Sequence, residues 1–486
     1  MMVRNVKKRM LALLDTVIEL LLQLPERKNQ AMLLEDTVWA IQTIATSLKK
    51  EEELSQKREQ YISRILAQVE ELKRKETVKE TQLLLHDVVA LQNSIKEIKA
   101  QIKVAFMPYK IQMWGTLVSI YNEATKDPDC VVQVIPLPYD TLGMNKDGTV
   151  YKEKTIYEGE EFAKRLPIIY YSEYFVEQEC PDIIFLHNIY DGYNNMTRVH
   201  EEYWTSNLKN YTEQLVYVPY FISSFVQHTK EDAEFWFGLP SLQNVNKIVV
   251  AGEYVKQAAI SYGLPEEKLL ALGSPKIDSI VEQLKTDLTL PAGWEERLQD
   301  RKVFFLNTLY HILGYEGIFE DVLSIPERFD NTAVIWRPHP LTEAFIESRY
   351  PAFLPKYKEL KAKVREGRGA FQHIVLDEEH EYFSALKRAD VMISGISSLL
   401  NAFLLTEKPV IFLDKQMPKT SMLEKETFDY YTEDKEQWNQ LIAKLCEGKE
   451  DEKKKELRHQ ASQIYANIDG TCGQKVYQTI KAQLED

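Results

Sequence analysis

The stretch Asp390–Leu413, DVMISGISSLLNAFLLTEKPVIFL, decides the fold. A short apolar strand, Val391 to Ile393, runs into Ser394-Gly395-Ile396-Ser397-Ser398; a helix follows, then a second apolar strand from Pro409 to Leu413. Gly395 lets the backbone approach a ligand closely, and the start of the helix presents amides without intrahelical partners. Ser397 and Ser398 stand where those amides point, which suits a phosphate or diphosphate. A serine is also the usual way to begin any helix, so a plain cap is the competing reading.

The same alternation extends outward in both directions. KVFFLNTLY (302–310), TAVIWRPHP (332–340) and HIVLDEE (373–379) read as strands, and EHEYFSALKRA (379–389) as a helix. Upstream, KVAFMPY (103–109), CVVQVIPLPY (130–139), PDIIFLHN (181–188), LVYVPYFI (215–222) and NKIVVAG (246–252) are short apolar runs ended by polar or turn-forming residues. IQMWGTLVSIYNEATKD (111–127) reads as a helix, EYVKQAAISYG (253–263) as a helix closed by Gly263, and LLALGSPKID (269–278) as a short strand and turn. Nearly continuous apolar strands alternating with helices indicate parallel sheets covered on both faces. A polar stretch broken by Pro291 and Gly293 separates the two runs. The expectation is an α/β chain with two doubly wound, Rossmann-like domains, at 101–285 and 286–486. Ligands then bind beyond the carboxyl ends of the strands, in the cleft between the domains.

The first hundred residues follow another rule. Up to residue 98 there is one proline, Pro25, and no glycine. Apolar residues recur at steps of three and four: Leu11, Leu14, Ile18, Leu21; Leu34, Val38, Ile41, Ala45, Leu48; Ile62, Ile65, Val69, Leu72; Leu84, Val88, Leu91, Ile95, Ile98. That spacing predicts an all-helical coiled-coil or bundle module over 1–100. Self-association into a homo-oligomer is one role for it. Arg4, Lys7, Lys8 and Arg9 before an apolar segment also allow peripheral membrane contact through an interfacial helix. Asp15 and Glu19 interrupt that segment, which favours the bundle.

Composition narrows the function classes. A net charge of −14 and the lack of a basic run interleaved with aromatics argue against nucleic-acid binding. Four scattered cysteines, Cys130, Cys180, Cys446 and Cys472, form no metal or redox spacing and fit a reducing, cytoplasmic setting. No apolar run has the length of a membrane span.

Candidate site residues come from the strand ends. In the second domain these are Asn307 and Thr308 with Leu309, Tyr310 and His311; then Arg337 and His339; then Asp377 to Glu379; then Ser394 to Ser398. Arg337 and His339 beside the serine turn make a set of donors for a diphosphate. Arg-Pro-His-Pro also reads as a rigid loop whose prolines fix the backbone. At the close of the first domain, Ser274 and Lys276 in GSPKID stand as a ligand loop or a structural turn, and Asp278 as an anchor or helix cap.

The succession GSPKID, FFLNTLY, WRPHP, then SGISSLLNAFLLTEKPVIF and the closing DGTCGQKVYQTI resembles the CDP-glycerol glycerophosphotransferase family, over roughly residues 247–486. The resemblance implies a GT-B fold, with two facing Rossmann-like domains, and teichoic-acid-type polymer synthesis. It implies that His339, Ser397 and Ser398 contact the diphosphate of the donor nucleotide. Lys276 stands where the family has arginine, and Gly395 where it has aspartate. The Trp-His-Gly segment that carries the family's general base has no counterpart: LVYVPYFISSF holds no histidine. His187, at a strand end in IIFLHNIYDGYN, is the expected substitute base, with His200 behind it. Tyr109, Tyr190 and Tyr193, with Tyr217 and Tyr220, are expected on an acceptor rim, aromatic packing being the alternative.

The expected activity is transfer of a polyol phosphate, glycerol phosphate or similar, from a CDP-linked or other nucleotide-linked donor. The acceptor is a hydroxyl of a polyol, glycan or lipid-linked molecule. Such chemistry needs no redox cofactor, and no carboxylate cluster for a tightly held metal is visible. The alternatives are a non-catalytic nucleotide- or glycan-binding protein of the same fold, and a nucleotide-sugar glycosyltransferase or epimerase.

Overall fold

The computed structural model describes all residues except 25–28, 75–77, 146, 224–233, 235, 288, 309–316, 380, 414–420 and 486. It is a mixed α/β chain with an N-terminal helical module and two parallel-sheet lobes. Four helices, α1 (Arg4–Gln23), α2 (Gln30–Lys50), α3 (Gln56–Leu72) and α4 (Val78–Lys96), form the module. The apolar seam closes on itself: Leu14, Leu21, Leu34, Ile41, Leu48, Ile65, Val69, Leu84, Val88, Leu91 and Ile95 are all buried in one cluster. Seam positions such as Leu11, Ile18 and Val38 pack against its edge.

The basic residues that open the chain face protein. Arg4 donates to Asp182 Oδ1 at 3.2 Å, to Glu213 Oε1 at 2.8 Å and to the Leu484 carbonyl. Lys7 caps the end of α4 through the carbonyls of Lys96 and Ile98. Lys8 pairs with Glu213, and Arg9 donates to Cys180 Sγ at 3.0 Å. The module is therefore fastened to the first lobe by the charges that, in sequence, invite a membrane reading. No described helix is long and apolar enough to cross a membrane.

The first lobe is built on a wholly parallel sheet. From one edge its strands are Cys130–Val134, Ala100–Met107, Ile183–Leu186, Gln214–Tyr217, Lys247–Val249 and Leu269–Leu270, with Met2–Val3 paired to the start of Ala100–Met107. The order reverses between Ala100–Met107 and Ile183–Leu186, and ligands collect at such a switch point. The helix expected over 111–127 divides into a tight turn, Ile111–Thr116, and an α-helix, Val118–Lys126. An antiparallel sheet of Tyr139–Met144, Val150–Ile156 and Thr197–Val199 is inserted beside the lobe, where alternation suggested none. Its middle residues are mostly exposed, so no apolar run announces them.

The second lobe has six parallel strands in the order Ile374–Leu376, Thr332–Pro338, Lys302–Thr308, Val391–Ser394, Val410–Phe412 and Asp429–Tyr430. Counted along the chain this is 3-2-1-4-5-6, the dinucleotide-fold order. Its switch point lies between Lys302–Thr308 and Val391–Ser394, the strand that leads into the serine turn. Lys408, which precedes the next strand, donates to the carbonyls of Lys387 and Ala389 at 2.9 and 2.6 Å, where a cation complements a helix end.

The last helix, Cys472–Glu485, packs on the first lobe: Val476, Tyr477 and Ile480 are buried with Val104 and Phe106. Its start is capped by Asp278, whose carboxylate accepts the Cys472 and Gly473 amides at 3.1 and 2.7 Å. Gly273, at φ +95°, lies so close to the returning chain that a Cβ would strike the Ala466 carbonyl.

Three outcomes follow. Arg4→Ala strips the buried Asp182 of its cation and costs about 3 kcal/mol in urea denaturation. Lys8→Ala, at a half-exposed pair, costs less than about 1 kcal/mol. Asp278→Ala removes a buried two-bond cap and costs about 2 kcal/mol. Hydrogen exchange then quickens first in 472–485; unchanged protection there would refute the capping role.

Candidate functional site

The carboxyl edge of the second sheet gathers three of the expected donor residues into one cluster. Asn307, the penultimate residue of its strand, donates from Nδ2 to Ser394 Oγ at 2.8 Å and to Ser397 Oγ at 3.0 Å. Ser394 is fully buried, and its hydroxyl donates a hydrogen bond to the Gly395 carbonyl at 2.9 Å. Ser397 caps the helix Ser398–Leu404, accepting from the Leu400 amide at 3.0 Å. Gly395 is buried in the turn and Ser398 is exposed beside it. The competing readings of the serine turn therefore divide by residue: Ser397 caps, and Ser398 faces outward.

The neighbouring strand end is stitched to the first. Thr308 Oγ1 accepts from Trp336 Nε1 at 3.2 Å, and the Thr308 carbonyl accepts from the His339 amide at 3.0 Å. His339 Nδ1 accepts from the Leu341 amide at 3.1 Å, so the neutral ring carries its proton on Nε2. Arg337 spends donors on Asp377 Oδ2 at 2.7 Å and on the Glu379 carbonyl at 3.0 Å. Asp377 is buried with it, and burial raises its carboxyl despite the opposing guanidinium. Arg337 thus holds the 377–381 loop. Leu309, Tyr310 and His311 lie outside the described residues.

Ser274 and Lys276 sit on the facing lobe, at the start of helix Pro275–Lys285. Ser274 Oγ is buried without a hydrogen-bond partner among the described residues. Burial lowers the Lys276 ammonium, whose Nζ lies 3.5 Å from the Tyr220 carbonyl. Lys276 and Arg337 line one groove between the lobes, of about 960 Å³. Sequence did not bring these two together with each other and apart from the Asn307 cluster.

On the first lobe, His187 lies at the switch point but has no exposed surface. Its Nε2 accepts from the Tyr109 amide at 3.3 Å, and its Nδ1 lies 3.4 Å from Thr116 Oγ1. Burial drives the imidazole down to about 3, so it is neutral across the physiological range. A proton acceptor needs contact with its donor, and this position gives His187 none; here it fixes the Tyr109 turn. His200 pairs with Asp140 at 3.5 Å on the inserted sheet. Tyr109 and Tyr190 join Tyr217 and Tyr220 in one cluster, while Tyr193 is 57% exposed at the surface. Burial raises the hydroxyls of Tyr109, Tyr190 and Tyr217, which leaves them neutral donors.

Sequence reasoning passed over Asn401. It lies one turn beyond Ser397, is 2% exposed, and donates across the cleft to the Ile222 carbonyl at 3.2 Å and more weakly to that of Ser223 at 3.5 Å. An asparagine inside the apolar run SSLLNAFLL was the available signal. Among the described residues no three His, Cys, Asp or Glu side chains gather as metal ligands.

No protein-family model matches the chain, and no curated protein matches it in sequence. Solved structures do share its fold. A Listeria monocytogenes protein assigned as a UDP-N-acetylglucosamine 2-epimerase matches at TM-score 0.54 and 16% identity, over 79% of this chain and 97% of its own. The S. aureus MnaA co-structure with UDP matches at 0.51 and 13%, over 79% and 97%. A wall teichoic acid polymerase, TagF, aligns over 89% of this chain and 99% of its own, at TM-score 0.47 and 12% identity.

The buried His187 makes a pH prediction. Its folded-state pKa lies far below the ordinary 6.5, so on acidification the unfolded chain takes up a proton that the native state refuses. The associated stability is complete above pH 6.5 and is lost as pH falls toward 3, at about 1.4 kcal/mol per pH unit. His187→Gln flattens that slope between about pH 6 and 4 in denaturant titrations; parallel slopes would show that the imidazole is protonated when folded.

The two lobes, each a parallel sheet whose strand order reverses once, give this chain a GT-B-type fold.

Proposed function

We propose that the chain is a transferase that takes a polyol phosphate from a CDP-linked donor and passes it to an acceptor hydroxyl in cell-surface polymer or glycan synthesis. The donor nucleotide rests on the second lobe and the acceptor enters from the first. One observation carries the reading: Asn307, Ser394 and Ser397 are joined by hydrogen bonds at the switch point of a 3-2-1-4-5-6 sheet, where this architecture receives nucleotides. His339, with its Nε2 proton, and the outward Ser398 supply donors to the diphosphate. Lys276 and Arg337 in the adjoining groove neutralise charge that develops on the leaving nucleotide. The order of GSPKID, WRPHP, the serine turn and the closing DGTCGQKV supports the CDP-glycerol class.

A second reading, a nucleotide-sugar epimerase, is favoured by the fold shared with the Listeria protein and with UDP-bound MnaA. Two assays separate the readings. Incubation with CDP-glycerol and an acceptor releases cytidine nucleotide under the first reading; isomerisation of UDP-N-acetylglucosamine without acceptor belongs to the second. Asn307→Ala lowers donor affinity about tenfold, the worth of one or two lost hydrogen bonds. Absence of turnover and of calorimetric binding with both CDP- and UDP-linked compounds would remove the enzyme reading altogether.

A further inference from the structure

Lys110 follows the strand Ala100–Met107 at the first lobe's switch point and enters no step above. Its Nζ lies 5.0 Å from the ring centroids of both Tyr109 and Tyr139. Among the described residues no hydrogen bond or ion pair engages that Nζ, although the side chain is half-buried. We propose that Lys110 anchors an oxyanion on the first lobe, and that the acceptor therefore carries a phosphate or carboxylate beside its hydroxyl. The word acceptor rests on the transferase reading; the anion site rests on Lys110 and its setting alone.

Contrast with comparable lysines is the first support. Burial lowers the ammonium of Lys7, Lys268, Lys276 and Lys408, as it does that of Lys110. Each of those four donates to a backbone carbonyl, which replaces the lost water. Lys110 has two aromatic rings instead, which attract its charge and leave three N–H donors unmatched. The rings supply no counter-charge either: burial raises the hydroxyls of Tyr109 and Tyr139, which keeps both neutral. Nor does Glu158 close on the ammonium. Its Oε1 accepts from the Tyr139 hydroxyl and its Oε2 from the Ile111 amide, each at 2.8 Å, and it acts on Lys110 only from beyond ion-pair distance. Those bonds also fix the platform. The two rings meet edge to face at 5.2 Å, so the ammonium is held in place before a ligand arrives. Location is the last support. Ile111, the next residue, lines the groove between the lobes together with Lys276 and Arg337, so an anion at Lys110 adjoins the path to the donor. A compact point charge with free donors suits an oxyanion.

The test is trace acetylation of the full chain with acetic anhydride, read by mass spectrometry at Lys110 and at the exposed Lys57. Glycerol 3-phosphate, glycerate and glycerol form a matched series of probes, compared at equal ionic strength. A bound anion stabilises the ammonium and so slows acetylation, which requires the free amine. The expected result is saturable slowing at Lys110, by at least about threefold, with one or both anions. Glycerol has no effect, Lys57 does not change, and the stronger anion identifies the group as phosphate or carboxylate. No slowing with either anion, equal slowing with glycerol, or parallel slowing at Lys57 would overturn the proposal. Binding of CDP-glycerol is measured separately by calorimetry. If it binds while Lys110 stays unprotected, this inference falls and the transferase reading stands. If Lys110 is protected and CDP-glycerol does not bind, the anion site stands without the reading beneath it.

Discussion

The last helix holds the molecule together because it is fixed at both ends by residues far away in sequence. At its start the Asp278 carboxylate takes two backbone amides; near its end the Arg4 guanidinium meets the Leu484 carbonyl. An anion at the N-terminus and a cation at the C-terminus both complement the helix dipole. Since the helix lies on the first lobe while the preceding residues belong to the second, the chain must pass between the lobes twice. Arg4 brings the helical module into the same arrangement through Asp182. The helical module, the first lobe and the last helix thus share one set of charge-assisted contacts.

Much of the architecture was legible before any coordinates. The seam from Leu11 to Ile98 is local and periodic, and local periodicity survives folding because the same face must stay dry at every turn. Parallel strands are buried on both faces, so their apolar runs stand out in the same way, as VFFL, AVIW and VMIS show. The six strands of the second lobe then place Asn307 against Ser394 by register alone. What remained hidden is of two kinds. The inserted sheet, with strands such as VYKEKTI, faces solvent along most of its length and carries no apolar signature. The cap from Asp278 spans 194 residues, and no spacing rule reaches that far.

His187 illustrates the limit on reading chemistry from position. A histidine after a strand at a switch point has the address of a catalytic group. Yet the rings of Tyr109 and Tyr139 and the turn at Ile111–Thr116 close over that edge, and the imidazole becomes a neutral acceptor for a backbone amide. The arginine of WRPHP is anchored too, its fork drawn onto Asp377 and the loop carbonyls, but it is only partly buried and still lines the groove between the lobes. At His187 burial decided between a structural and a chemical role, and burial is a property of the folded neighbourhood.

The Ser223 carbonyl, finally, has consequences for how firmly the lobes adhere. It has two lone pairs and three donors: Tyr254 at 3.1 Å, Tyr465 at 3.3 Å and Asn401 at 3.5 Å. The two shorter bonds come from the first-lobe helix and the returning chain, and they saturate the oxygen. The longest comes from the opposite lobe and is left with the poorest share. At this oxygen the link to the opposite lobe is therefore the weakest of the three, and Asn401 ties the lobes together chiefly through its shorter bond to the Ile222 carbonyl.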